Sequence, residues 1–183
     1  IAVLEGLGAR IVEVRMPDYD DLVQAWNMMC AIETAVAHQD TYPARADEYG
    51  PDLAQLIDEG HATTGMKAAR GHHLRVLFTS ALSTIFSEVD CMLCPTMPKL
   101  TPSLAKMTDY GSDPKVLHAI LRFTAPFDFS GNPTITLPNG IDTADMPHSM
   151  QIVGPHLGES SIVQIAAAYQ SVTNWHTLHP NID

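Results

Sequence analysis

FTAPFDFSGNPTITLPNGIDTADMPHSMQIVG, residues 123–154, is the stretch from which the rest of the chain can be read. Thr134–Leu137 and Met150–Val153 are short β-type runs, joined by a polar segment holding Pro138, Gly140 and Pro147. Apolar and β-branched residues bounded by Gly, Pro and Asn predict strand, loop, strand. Just before them, PFDFSGNP crowds two prolines, a glycine and an asparagine around two aromatics. Proline fixes φ and glycine reaches backbone angles closed to other residues, so an ordered irregular loop is expected there.

Working outward, Asp113–Pro114 is a helix start that opens a helix over Val116–Phe123. Lys99–Asp113, rich in Pro, Gly and Ser, reads as a mobile connection. Before it, VDCMLCP predicts a short apolar strand over 91–94, stopped by Pro95. Thr64 to about Glu88 reads as a long helix with Leu74, Leu77, Ala81, Leu82, Ile85 and Val89 on one side. A shorter helix, Asp52–Glu59, is expected to end at Gly60. Asp20 or Asp21 can cap a helix whose inward face is Leu22, Ala25, Trp26, Met29, Ile32 and Val36. At the start, Val3, Leu4 and Leu7 read as the last turns of a helix closed by Gly6 and Gly8. A buried strand is expected at Ile11–Val14, ended by Pro17. Beyond residue 154, a helix from Glu159 to Val172 turns Ile162, Ile165, Ala166, Tyr169 and Val172 inward.

Composition narrows the function classes. A formal charge of −11, with only ten Lys and Arg in 183 residues, argues against nucleic acid as a partner. Such binding rests on basic side chains neutralising phosphates. No apolar run reaches the ~18–20 residues that span a bilayer, so no membrane partner is expected. Three cysteines, an odd number, do not form a disulfide framework and favour a reducing, cytoplasmic setting.

FTAPFDFSGNPTITLP followed by PHSMQIVGP resembles the C-terminal part of the amidase signature family, serine hydrolases that cleave carboxamides. In that family an F-N-x-[ST]-G-x-P-[AS] loop leads into a strand, then into G-L-P-x-G-x-Q-[IVL]-[IV]-G. Phe127, Ser130, Gly131, Pro133, Pro147, Gln151 and Gly154 match it, whereas Asp128, Asn132 and His148–Ser149 depart. The resemblance recurs along the chain in LEGLGARIVEV, in Glu33 and His38 of AIETAVAH, in YGPD, in VDCMLCPTMP and in the closing SVTNWHTLHP. It implies an α/β fold, the C-terminal part of the amidase signature fold, with a mixed β-sheet covered by helices on both faces. Residues 1–183 are then expected to be the C-terminal portion of a single domain, beginning mid-domain.

The resemblance implies a nucleophilic Ser, activated through a second Ser with a cis peptide and a Lys base, with a Gly/Ser-rich loop holding the oxyanion. No G-G-S-S-G-G-S run occurs here, and Lys67, Lys99, Lys106 and Lys115 match no catalytic position. Ser160–Ser161 is the only Ser pair, and N-terminal capping of the last helix explains it. No catalytic residue is therefore expected in this chain. The substrate side remains. By resemblance the Trp26 helix and the loop Leu121–Phe127 line the acyl pocket, making Trp26, Phe123, Thr124 and Phe127 the substrate-binding candidates. The same aromatics also fit as ordinary core. Relatives that use glutamine tend to carry an acidic residue just before this loop. Leu121 and Arg122 stand there instead, which points to an apolar or aromatic amide.

Metal and redox alternatives are weaker. Cys91 and Cys94 have C-x-x-C spacing without a second ligand pair, and strand alternation puts them on opposite faces. Buried free thiols are expected. His72–His73 point about 100° apart on a helix, and His176 and His179 sit at a chain end beside Pro180. No cofactor and no metal site follow. The expected function is thus the C-terminal segment of a carboxamide-cleaving serine hydrolase with its Ser-cisSer-Lys triad upstream. Its partners are a small amide substrate and the missing N-terminal half or a partner chain. Self-association into a homo-oligomer is expected where strand edges are left open. Two rival readings stand beside it: a non-catalytic scaffold or partner subunit of a split amidase or amidotransferase, and a small His-rich metal-binding protein.

Overall fold

Prolines 95, 138 and 147 constrain the sheet, because proline donates nothing to a β-ladder. In the computed structural model, which describes residues 1–17, 21–98, 105, 114–143 and 145–180, all three lie where that loss is tolerated. Pro95 ends edge strand β1 (Met92–Pro95), Pro138 lies in edge strand β2 (Thr134–Ile141), and Pro147 is the first residue of β3 (Pro147–Val153). The strand order is β1-β3-β2. Both pairings are antiparallel, with Met92 and Thr134 each opposite Val153 and Leu137 opposite Met150. A register shift falls between Pro138 and Gly140, where the ladder loses its donor. β3 is central, and Met150, Gln151, Ile152 and Val153 are consecutively buried, as in a strand covered on both faces. The strands run past the expected 134–137 and 150–153 into the polar connection, so only residues 142–146 lie between them.

The chain forms two compact units. The sheet lies in the unit made of residues 1–17 and 81–183. Here α1 (Ala2–Gly6) ends as expected, with Ala9 N–H donating to Leu4 O beyond Gly8. β1 follows, one residue later than expected, then α5 (Pro114–Leu121), α6 (Ala125–Ser130), the hairpin, and α7 (Glu159–Ser171). α7 lays Ile162, Ala166 and Tyr169 against Leu137, Met150 and Ile152, and this is the unit's main core. Val172, expected inward, is instead 56% exposed just past the helix end. Ser160 and Ser161 are not the cap either: Gly158 holds that position without a side-chain hydrogen bond, and both serines are exposed in the first turn.

One predicted strand does not form. Residues 9–17 have no regular secondary structure, and Ile11 and Val12 are 43% and 40% exposed. A strand exists only through ladder partners, and among the described residues none pairs with this run. The expectation for Lys99–Asp113 falls almost wholly outside the described residues, as does Asp20 as a cap.

The other unit, residues 18–80, is helical. It holds α2 (Leu22–Ala37), a 3₁₀ turn at Ala46–Glu48, α3 (Pro51–Ala62) and most of α4 (Gly65–Phe86). α2 begins after Asp21, whose side chain makes no capping bond. Its buried face is Leu22, Ala25, Ala31 and Ala35, while Val36, expected inward, is 59% exposed. Gly60 explains the rotation. It lies inside α3 rather than ending it, and a Cβ there would sit 2.1 Å from Ala31 O and 2.8 Å from Ala35 Cβ. Only small side chains allow that approach. On α4 the buried positions are Gly71, Phe78 and Leu82, and Leu77, expected inward, is 45% exposed. His38 and Tyr49 close the unit's polar edge, with Nδ1 3.0 Å from the tyrosine hydroxyl.

Candidate functional site

The segment expected to be irregular is a short helix with a built entrance and exit. After α5, Thr124 N–H donates back to Leu121 O at 3.0 Å and its hydroxyl reaches the same oxygen at 3.4 Å. Pro126 then falls in the first turn of α6, where no backbone donor is needed. The helix stops at Gly131, whose φ of 79° is left-handed and suits glycine. Proline and glycine thus act here as the start and stop of one helix, not as loop residues throughout.

Beyond Gly131 the chain is held by buried polar side chains. Ser130 Oγ donates to Asn132 Oδ1 at 2.7 Å, and Asn132 Nδ2 donates to Gly154 O at 2.8 Å. Ser130 and Asn132 are 3% and 9% exposed. His156 Nε2 meets the carbonyl of Ser130 at 3.0 Å, so that nitrogen carries the proton. Ser130 is therefore a structural hydroxyl. Gln151, 3% exposed on β3, donates from Nε2 to Phe123 O at 2.8 Å and contacts Cys94 Sγ at 3.4 Å. One amide thus ties the central strand to β1 and to the α5–α6 turn.

These ties frame a cavity of about 240 Å³. Val14 and Met16 contribute from the extended N-terminal run, and Met92, Leu93 and Cys94 from β1. Phe123, Phe127 and Arg122 contribute from the α5–α6 turn. Arg122 carries its guanidinium 5.2 Å from the centre of the Phe123 ring, a cation–π contact. Burial pushes the Cys94 thiol above its usual range, and the Gln151 donor offsets this only in part. Cys91 is also raised, by burial and then by the charge of Asp90. Both stay protonated at neutral pH, which is the unreactive form. They are free thiols on opposite faces: Cys94 lines the cavity and Cys91 packs on the α7 core.

Of the four substrate-binding candidates, Phe123 and Phe127 share this cavity. Thr124 stands between them in sequence, with its hydroxyl spent on the Leu121 carbonyl. Trp26 belongs to the other unit, half-buried on α2. Phe127, 4% exposed, is core as well as wall. Sequence reasoning missed Val14, Met16, Leu93 and Cys94 as wall residues, and nothing in their local pattern marks them. Gln151 was legible only as a motif residue, without its partner. Among the described residues no three His, Cys, Asp or Glu side chains converge on a point that could hold a metal ion. No helix among them is long and apolar enough to cross a membrane.

The arrangement can bind an apolar group, and among the described residues of its wall none is a serine, lysine or histidine. AmiD of Mycobacterium tuberculosis, named as an amidase, is 40% identical over 152 residues, which are 83% of this chain and 32% of AmiD. One subunit of the glutamyl-tRNA(Gln) amidotransferase of Synechococcus elongatus is 27% identical over 98% of this chain and 42% of its own length. Among solved structures, 6-aminohexanoate cyclic dimer hydrolase superposes with a TM-score of 0.82 at 20% identity, covering 98% of this chain and 41% of that one. The chain therefore spans less than half the length of these relatives. The family model for amidases matches residues 1–163, and with that match on top of the loop, strand and glutamine just described, the chain belongs to the amidase signature family.

Proposed function

We propose that this chain forms the C-terminal part of an amide-cleaving serine hydrolase and supplies the acyl-pocket wall and three strands of its sheet. The observation that carries the reading is the apolar cavity at the α5–α6 turn, whose lining among the described residues includes no serine and no lysine. Phe123 and Phe127 are its substrate-facing aromatics, Thr124 is assigned to the same pocket on the family resemblance, and Trp26 stays a substrate-binding candidate on that resemblance alone. The nucleophile, its serine relay and the lysine base belong to sequence outside these 183 residues. Without them, orientation by the pocket has no attacking group to act on, so the chain alone forms no acyl-enzyme. The substrate class is an apolar or aromatic carboxamide, in keeping with the hydrophobic walls.

The test compares the intact protein with the 183-residue chain on a panel of aryl and alkyl amides, with a serine-directed probe present. Turnover and labelling in the intact protein, and neither in the isolated chain, is the expected result. Labelling of the isolated chain would place a nucleophile within it and overturn the reading. A second reading, one component of a larger amidotransferase-like assembly, draws on the match to an amidotransferase subunit over nearly the whole chain. Copurification of the intact protein with a second, stoichiometric polypeptide would favour it.

A further inference from the structure

We propose that Arg122 makes this cavity selective for amides whose apolar body ends in a carboxylate. The inference rests on the reading of the cavity as the acyl pocket. Among the described side chains on its wall, Arg122 is the one that carries a formal charge; the others are aliphatic, aromatic or sulfur-bearing. A chain with a net charge of −11 repels anions at long range, so an anionic substrate group needs a local cation. Arg122 is exposed, and no ion pair links it to a carboxylate among the described residues.

Its position is also fixed in a way that favours recognition over loose surface charge. The neighbouring Phe123 carbonyl is pinned by buried Gln151 at 2.8 Å, and Thr124 N–H closes the turn onto Leu121 O at 3.0 Å. Arg122 is thus held from both sides of the backbone, and the cation–π contact with Phe123 sets its side chain on the cavity wall. A cation–π contact uses no hydrogen-bond acceptor, so the N–H edge of the guanidinium can serve a ligand. A planar fork of donors matches a carboxylate in two parallel hydrogen bonds, which an ammonium cannot reproduce. An apolar acyl chain lying along Phe123 and Phe127 would bring its far end to that edge.

The experiment uses the intact protein and two p-nitroanilides of equal acyl length, the glutarate mono-anilide and the pentanoate anilide, followed by p-nitroaniline release. The wild type should favour the glutarate substrate by about tenfold in kcat/KM, mainly through KM, and the preference should shrink as salt is raised. Arg122→Gln should bring the ratio close to one, and Arg122→Lys should restore part of it. The ratio should also fall as pH drops through the ordinary carboxylate range, about 4, where the substrate loses its charge. A wild-type ratio near one, or a ratio unmoved by Arg122→Gln, overturns the proposal while cleavage of the pentanoate anilide keeps the amidase reading intact. If neither anilide is cleaved and the serine-directed probe labels nothing, the amidase reading fails and takes this inference with it.

Discussion

Asn132 and Gln151 lie buried beside the cavity with their amide donors aimed at backbone carbonyls and a neighbouring thiol, whereas Tyr42 and Asp58, on the helical unit, meet at the surface. The two regions are held by different means. Around α6 the backbone leaves both helix and ladder, so its carbonyls need side-chain donors from residues distant in sequence. Between α2 and α3 the backbone satisfies itself, and what matters is how closely two helices can approach. There the decisive residues are small: Ala31, Ala35 and Gly60. A buried amide near the cavity and a missing Cβ in the helix pair therefore both hold structure, although only the first shapes a binding wall.

The sharpest way to break this comparison is Gly60→Ala. The added methyl would meet a backbone oxygen at 2.1 Å, and neither helix can yield without losing its packing. Overpacking of this kind is expected to cost about 3 kcal/mol, read as a drop in the urea midpoint of the intact protein. A shift within error would mean that α2 and α3 are not in rigid contact.

Gln151→Leu should have a smaller effect on stability but a distinct one on function. It removes the donor from Phe123 O and leaves a half-buried carbonyl unsatisfied, a cost of about 1–2 kcal/mol. Because the Phe123 wall is then less well held, KM for an amide substrate should rise while kcat changes little. Equal loss of stability with no change in KM would separate Gln151 from the binding wall.

Tyr42→Phe is the small-effect control. The hydrogen bond to Asp58 raises the Tyr42 phenol above its ordinary range, with burial and the Asp58 charge adding to it. A raised folded-state value gives stability that is complete below the ordinary tyrosine range, about 10, and is lost as pH rises through the folded value. The pair lies in solvent, so the urea midpoint of the wild type should exceed that of the variant by only a small margin at neutral pH, and that margin should vanish as pH rises through the folded value. A clear loss at neutral pH would show that surface polar contacts also hold the helical unit.

How much of this was legible beforehand differs by element. The hairpin strands, α1 with its stop near Gly8, and α7 follow from local composition and period, since an alternating run or a three- and four-residue spacing is a property of the chain itself. The motif residues Ser130, Gly131, Pro133, Gln151 and Gly154 were recognisable as letters. Their roles were not, because a hydrogen bond from residue 151 to residue 123 has no signature in either neighbourhood.

What the sequence determined alone was the family resemblance, the order of elements, and the absence of a nucleophile motif. What the tertiary structure decided was which apolar runs found partners. Ile11–Val14 has the letters of a strand and finds no partner among the described residues, while Pro126 to Ser130 has the letters of a loop and lies in a helix. Val36 and Leu77 fit a helical face and are exposed, because close approach at Gly60 and burial of Phe78 turn their helices another way. The cavity is the plainest case, since its wall comes from positions 14, 93 and 123. Periodicity is written within one turn or one strand, but pairing, burial and cavities depend on which distant segments meet.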